Sequence, residues 1–282
     1  MKTTKQQPVA LIAVLFLLCF VIRLIEVLGL RLDETFINEN FIHKLLGIAI
    51  LAAALRWFSL SQKDIGFDFS RFFLPTLLGL ALGAGRFAVG YGAECLILAA
   101  QGKSPSFEFY ASGFSLTGEQ LRLPAYAFLL IIGFNILNAI MEEGIFRGLF
   151  IRLAQRKHRF AAANLIAALF FGLWHIAMPI RSYLDGAMPL GVMLLYALGY
   201  ILLSGSISLL WGMLFEMSGV LWIGLADHFF NNTILNTLHV TTASGTDELQ
   251  IVRTLIAQLL ALALVTVLYL RKKKTKRTAE AV

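Results

Sequence analysis

The chain has 282 residues, of which 58% are hydrophobic and only 15% charged, with a net charge of +7. Soluble domains run nearer to about 45–50% apolar and about 25% charged, so the composition excludes a soluble globular protein and points to a polytopic membrane protein. Length alone would allow two soluble domains, but apolar stretches of spanning length follow one another from end to end, which reads as a single integral domain over 1–282. Cys19 and Cys95 both fall inside apolar stretches, so neither a disulfide framework nor a cysteine-based metal site is expected.

The spanning segments fall at about 9–30, 42–60, 72–100, 125–151, 161–179, 188–214, 219–238 and 251–270. The first follows the basic start Met1-Lys2-Thr3-Thr4-Lys5 and lacks a small-x-small cleavage site, so it reads as a retained helix rather than a signal peptide. Ser204-Gly205-Ser206 is the place where the sixth segment could break or kink. The fold class expected is therefore all-α, a polytopic membrane helical bundle of about eight transmembrane helices.

Lysine and arginine collect in alternate links: the N-terminus, then Arg56, Lys63 and Arg71, then Arg152, Arg156, Lys157 and Arg159, and finally the tail Arg271–Arg277. The intervening links are acidic or balanced (Asp33, Glu34, Glu39; Lys103, Glu108, Glu119, Arg122; Arg181, Asp185; Asp247, Glu248). That alternation places both termini in the cytoplasm by the positive-inside rule. The basic tail, 271–282, reads as a topology signal and a contact for anionic lipid rather than for nucleic acid. The longest link, about 101–124, is expected to hold a short interfacial helix. In the third span Arg86 and Glu94 read as structural ion pairs with neighbouring helices, and the many glycines and serines as close-packing points.

The motif-bearing core is about 125–240. The fourth span contains Met141-Glu142-Glu143-Gly144-Ile145-Phe146-Arg147-Gly148. Ionisable groups at bilayer depth are costly, and their default reading is functional. On an α-helix Glu143 and Arg147 stand one turn apart in the favourable order for an ion pair, whereas Glu142 sits roughly 140° from Arg147 and is left to face the bundle interior. The fifth span carries Phe171-Gly172-Leu173-Trp174-His175, and the seventh Asp227-His228-Phe229-Phe230-Asn231-Asn232. His228 and Asn232, four apart, share a face, and Asn231 is not far from it. At 1.5 Å per residue Glu142 and His228 lie roughly 15 Å from the basic-link side and His175 about 22 Å, so the groups can meet at one depth. His43, His158 and His239 lie near span ends and read as solvated or interfacial.

Singly, each buried polar residue is explained as interhelical packing. Together they suit amide hydrolysis, in which a carboxylate and a neutral imidazole deprotonate water and return the proton to the leaving amine. A second histidine and an amide are donors for the oxyanion. No serine is paired with these histidines by a recognisable spacing, so nucleophilic catalysis is less favoured. Zinc remains an alternative without a His-Glu-x-x-His run to support it.

Glu142-Glu143-x-x-x-Arg147, Phe171-x-x-x-His175 and His228-x-x-x-Asn232, in this order on three spans, resemble the three motifs of the CPBP (Abi) family of intramembrane proteases, which includes type II CAAX prenyl endopeptidases. The resemblance implies an eight-helix bundle whose site opens to the cytoplasmic half of the bilayer. It also implies that Glu142 and His175 activate the water, that His228 and Asn232 stabilise the oxyanion, and that Glu143 and Arg147 support the site. It implies no cofactor and no metal, and as partners a peptide or protein substrate and membrane lipid, in a multi-pass protein of a bacterial cytoplasmic membrane. Family members often carry a proline four residues before the third-motif histidine, where this chain has Gly224. A non-catalytic immunity or scaffold protein and a proton-coupled transporter are the competing expectations.

Overall fold

The computed structural model describes residues 7–113 and 122–280. Lys2, Lys5 and Glu119, which enter the charge pattern, lie outside the described residues, as do the last two residues of the tail. Eight helical segments follow the order of the sequence. α1 (Pro8–Leu24) continues as a π-helical stretch to Leu30, and α2 (Ile42–Trp57) and α3 (Phe73–Ala100) follow. The fourth segment joins α4 (Ala127–Glu142) to a π-helical stretch (Glu143–Phe150) and α5 (Ile151–Ala154), and the fifth joins α6 (Phe160–Trp174) to the short α7 (Ala177–Leu184). Then come α8 (Leu190–Ser218), α9 (Trp222–Thr237) and α10 (Gln250–Glu280). Among the described residues six helices are long and apolar enough to cross a membrane. α2 and α9, with 16 residues each, fall below that length and are packed among the others.

α8 runs unbroken through Ser204-Gly205-Ser206. Ser206 returns its hydroxyl proton to the Leu203 carbonyl at 3.0 Å, so that hydroxyl is satisfied within the helix. Leu17, Leu18 and Val21 on α1 and Leu194, Leu195 and Leu202 on α8 are exposed, as expected of faces turned to hydrocarbon. Inward faces carry small residues where helices touch: a methyl group at Gly172 would meet the Ile201 backbone oxygen at 2.7 Å, and one at Gly90 the Arg253 oxygen at 2.8 Å. Gly85 and Gly199, by contrast, have nothing within 4 Å and are not packing points.

The 101–124 link differs from the expected interfacial helix. Its described part forms β1 (Ser106–Phe109), which pairs antiparallel with β2 (Leu238–Thr241) directly after α9, with Glu108 opposite His239. The pairing wins because the alternating Ser-Phe-Glu-Phe finds a partner strand in place, and backbone bonds from Tyr110 to Thr237 and from Ser112 to Asn236 extend it.

His239 anchors this clasp. It is 0% exposed, stacks on Tyr110 with ring centroids 3.9 Å apart, and places Nδ1 3.2 Å from Asp247 Oδ2 and Nε2 3.1 Å from the Tyr110 carbonyl. His43 is likewise 4% exposed and set 2.6 Å from Glu26. Neither is solvated, because each has an acidic partner that the hydropathy pattern does not reveal; His158 alone stays half-exposed.

On the basic side the 58–72 link tucks under the bundle. Gly66, at φ +95°, lies against Phe215 and Leu221, and its carbonyl accepts the Leu221 N–H at 2.9 Å. Trp222 is boxed by Phe67, Phe69 and Phe72 at 4.9–5.4 Å and donates its indole N–H to the Asp68 carbonyl. Arg152 Nε donates to the Asp64 carbonyl at 2.9 Å.

Two outcomes follow. Gly66→Ala, which puts a side chain at a positive φ against Leu221, should cost about 1–3 kcal/mol in thermal unfolding in detergent. Burial pulls the Asp247 carboxyl up, but hydrogen bonds from His239 and Arg253 outweigh it and hold the group below 3.8. Its stabilisation is therefore present above that pH and lost as the pH falls through the lowered value. The difference in melting temperature between the wild type and Asp247→Asn should narrow below pH 3.8.

Candidate active site

The two glutamates stand where α4 gives way to π winding. The i→i+5 pattern turns the chain less per residue than an α-helix, so Glu142 lies nearer the Arg147 face than a helical wheel places it. Two glycines make the stretch compact: Gly144 faces Leu51 and Phe67, and Gly148 faces the Ile65 carbonyl. Glu142, Glu143 and Arg147 are 1%, 0% and 0% exposed.

Their partners are divided. Glu143 Oε1 lies 3.4 Å from Arg147 and accepts the His228 Nδ1 proton at 2.9 Å. Glu142 Oε1 accepts the Trp174 indole N–H at 2.7 Å and sits 3.7 Å from Arg23, while Oε2 faces His228 Nε2 at 3.4 Å. Arg147 has no hydrogen-bond acceptor for its guanidinium among the described residues. It lies instead between the rings of Phe171 at 3.8 Å and Trp211 at 4.7 Å, where cation–π attraction adds to the Glu143 charge. Gly224 is the glycine at the expected proline position. A methyl there would stand 3.3 Å from Glu143 Oε2, so the missing side chain leaves room for that carboxylate.

His175 closes α6. Its Nδ1 is 2.8 Å from the Phe171 carbonyl oxygen, which can only accept, so Nδ1 carries the proton and Nε2 is the basic nitrogen. His228 has a carboxylate at each ring nitrogen: Nδ1 donates to Glu143, Nε2 faces Glu142 at 3.4 Å, and its ring stacks on Trp211 at 4.2 Å. Asn232 is fixed through a relay from the third span. Arg86 grips Asp227 at 3.0 and 3.2 Å and donates to Asn231 Oδ1 at 2.9 Å. Asn231 Nδ2 in turn donates to Asn232 Oδ1 at 3.1 Å. The Asn232 carbonyl is thereby occupied and its NH₂ is the end left to act as a donor. Trp211 donates to Asp227 at 2.7 Å, tying the relay to the plate beneath His228.

Glu142, His175, His228 and Asn232 all line one cavity of about 350 Å³. Glu143 and Arg147 do not line it; they lie behind His228. The sequence reading missed Trp174, Trp211, Asn231's relay and the whole contribution of α1 and α2, since Arg23, His43 and Lys44 also line the cavity. An ionisable group inside an apolar span is itself the signal that would have singled out Arg23 and Glu26. Arg86 forms the ion pair expected of it, but its partner is the helix that bears His228. Glu94 likewise pairs, with Arg253. The cavity reaches Asp33, Asn38, Glu39 and Gly113, in the links without basic runs, and no residue of the basic links lines it.

Other chemistries find less support. Ser112, His239 and Asp247 stand in nucleophile-triad order, with Ser112 Oγ 3.4 Å from Nε2. Nε2 also faces the Tyr110 carbonyl and all three are buried away from the cavity, so the group is a structural clasp. Among the described residues no group of three or more His, Cys, Asp or Glu converges in a metal-binding arrangement.

Removing either member of the buried Arg86–Asp227 pair should cost about 3–5 kcal/mol. The Arg86→Leu/Asp227→Leu double variant should lose less than the sum, measured as a double-mutant cycle of thermal unfolding in detergent.

Comparison with known proteins matches residues 124–234 to the family model described as type II CAAX prenyl endopeptidase Rce1-like. No curated protein matches the chain. The matched segment begins just before α4 and ends within α9, so it contains Glu142, His175, His228 and Asn232. Over residues 124–234 the chain is thus similar to the Rce1-like type II CAAX prenyl endopeptidase family.

Proposed function

We propose that this protein is an intramembrane endopeptidase that hydrolyses a peptide bond of a membrane-associated peptide or protein with a water activated by Glu142 and His175. The observation that carries the reading is the convergence of Glu142, His175, His228 and Asn232 on one cavity, with the hydrogen-bonding end of each set by a neighbour. Glu142 Oε2 accepts no hydrogen bond from the described protein, which leaves it to take a water proton. His175 Nε2 supplies the second acceptor.

The hydroxyl oxygen of that water bonds to the scissile carbonyl carbon. His228, acting as an imidazolium that keeps Nδ1–H on Glu143 and offers Nε2–H, and the Asn232 amide then face the oxyanion as donors whose positions are set before reaction. Glu142 passes the abstracted proton to the amide nitrogen as the oxyanion reforms the carbonyl and the C–N bond breaks, releasing an amine and a carboxylic acid. Trp174 and Arg23 hold Oε1 and keep the carboxylate oriented. Glu143 and Arg147 act through His228 as positioning residues. The scheme uses no metal and no cofactor.

Glu142→Ala should abolish cleavage while the purified protein keeps its melting transition; full cleavage by that variant would sink the Glu142 mechanism, and a preserved cellular phenotype without cleavage would point to a scaffold or immunity role. Loss of the Asn232 donor in Asn232→Ala should lower kcat by about 10²–10³-fold. Asn231→Ala, which frees the Asn232 amide to rotate, should lower kcat by about tenfold, or 1.4 kcal/mol of barrier, with KM little changed. Steady-state kinetics on the three variants separates these roles.

A further inference from the structure

Most charged side chains that line the cavity stand within hydrogen-bond distance of a partner. Lys44 lies 3.1 Å from Glu39, and Asp33 accepts from Arg181 at 2.7 Å and from Asn40 at 2.8 Å. Glu26, behind the lining, is taken up by the backbone N–H groups of Ile42 and His43 and by the His43 ring. Arg23 is different. Among the described residues its guanidinium makes no hydrogen bond: Nε is buried without a partner, and Glu142 Oε1 stands 3.7 Å from Nη1, beyond hydrogen-bond reach.

The position of this cation is nonetheless fixed. The side chain is 12% exposed, and Cζ lies over the Trp174 ring, 4.5 Å from its centroid. The same indole donates to Glu142 Oε1 at 2.7 Å. A guanidinium held by its face keeps its edge, which carries the five N–H donors, for another acceptor. Buried donors left unmet are costly, and the planar fork matches a carboxylate through two parallel hydrogen bonds.

Catalysis sharpens the demand. In the reaction proposed above Glu142 holds the water proton between attack and release, and is neutral for that interval. Arg23 then loses the one carboxylate found within 4 Å of it among the described residues. A carboxylate on the substrate would restore the balance at that stage as well as on binding.

We propose that Arg23 is a specificity-determining residue, whose guanidinium takes a carboxylate of the peptide substrate, borne by an acidic side chain or by the C-terminus. At about 3.3–3.6 Å per extended residue, that group lies within about two or three residues of the scissile bond. The substrate role rests on the peptidase reading; the binding of a carboxylate by Arg23 does not.

Short synthetic peptides of mixed sequence test this when each is made with a free-acid and an amide end, and with Glu or Gln at each position. Cleavage by the purified protein in detergent is followed by mass spectrometry. The wild type should favour the carboxylate-bearing form over its neutral counterpart by about 10–100-fold in kcat/KM. Arg23→Gln should bring that ratio close to one. It should also slow both forms, because Arg23 orients Glu142, so the ratio and not the rate carries the test. Arg23→Lys keeps the charge without the fork and should give an intermediate ratio; it serves alone if Arg23→Gln does not fold. Whether the acid end or the Glu side chain earns the preference identifies the source of the carboxylate.

A ratio unchanged in both Arg23 variants, no preference in the wild type, or a preference for acids far from the cleaved bond overturns the proposal. Absence of any Glu142-dependent cleavage overturns the peptidase reading instead. Retention of the same peptides on immobilised Glu142→Gln protein then decides the Arg23 site. Carboxylate forms should be held more tightly than neutral ones, and Glu142→Gln/Arg23→Gln should lose the difference; equal retention, or none, overturns the site.

Discussion

The structure depends on keeping two adjacent carboxylates buried at the middle of an apolar bundle. An ionised carboxylate without partners in such surroundings is prohibitively costly, and here each one is held by a different set of groups. Glu143 draws on Arg147 and His228, and Glu142 on Trp174, Arg23 and His228. The order of the helices is largely a consequence. α1 must lie close enough for Arg23, α6 must bring Trp174, and α9 must place His228 between the two glutamates. Among the described residues His228 pairs with both, which makes it the pivot of the site.

Around that pivot the aromatic rings set orientation. Trp211 supports the His228 ring, flanks Arg147 together with Phe171, and donates to Asp227. A single indole therefore links the cation behind the site to the relay from Arg86 through Asn231 to Asn232. Charge-assisted hydrogen bonds in a low-dielectric interior are strong and geometrically demanding. Such a chain fixes which end of an amide faces the cavity in a way that loose packing cannot.

The two ends of the bundle are built by different interactions. The basic end is made by a link that surrenders its backbone to the core: Gly66 adopts a conformation disfavoured for other residues, and Asp64, Gly66 and Asp68 offer carbonyls to Arg152, Leu221 and Trp222. At the opposite end ion pairs tie links to neighbouring helices, such as Arg181 with Asp33 and Lys44 with Glu39. The clasp between β1 and β2 stands on the same end, held by the buried His239–Asp247–Arg253 group.

The sequence alone determined that the chain is an all-α membrane bundle, since hydrocarbon demands apolar runs of spanning length with internally satisfied backbones, and those runs are visible one by one. It also showed which residues break the apolar rule in the fourth, fifth and seventh spans, because an ionisable or amide side chain there is conspicuous at any packing. Tertiary structure decided the partners. Arg86 lies 141 positions from Asp227 and Trp174 lies 32 from Glu142, and no periodicity encodes contacts at such separations. The burial of His43 and His239 and the strand in the 101–124 link were decided the same way, because each depends on which helix ends meet in space.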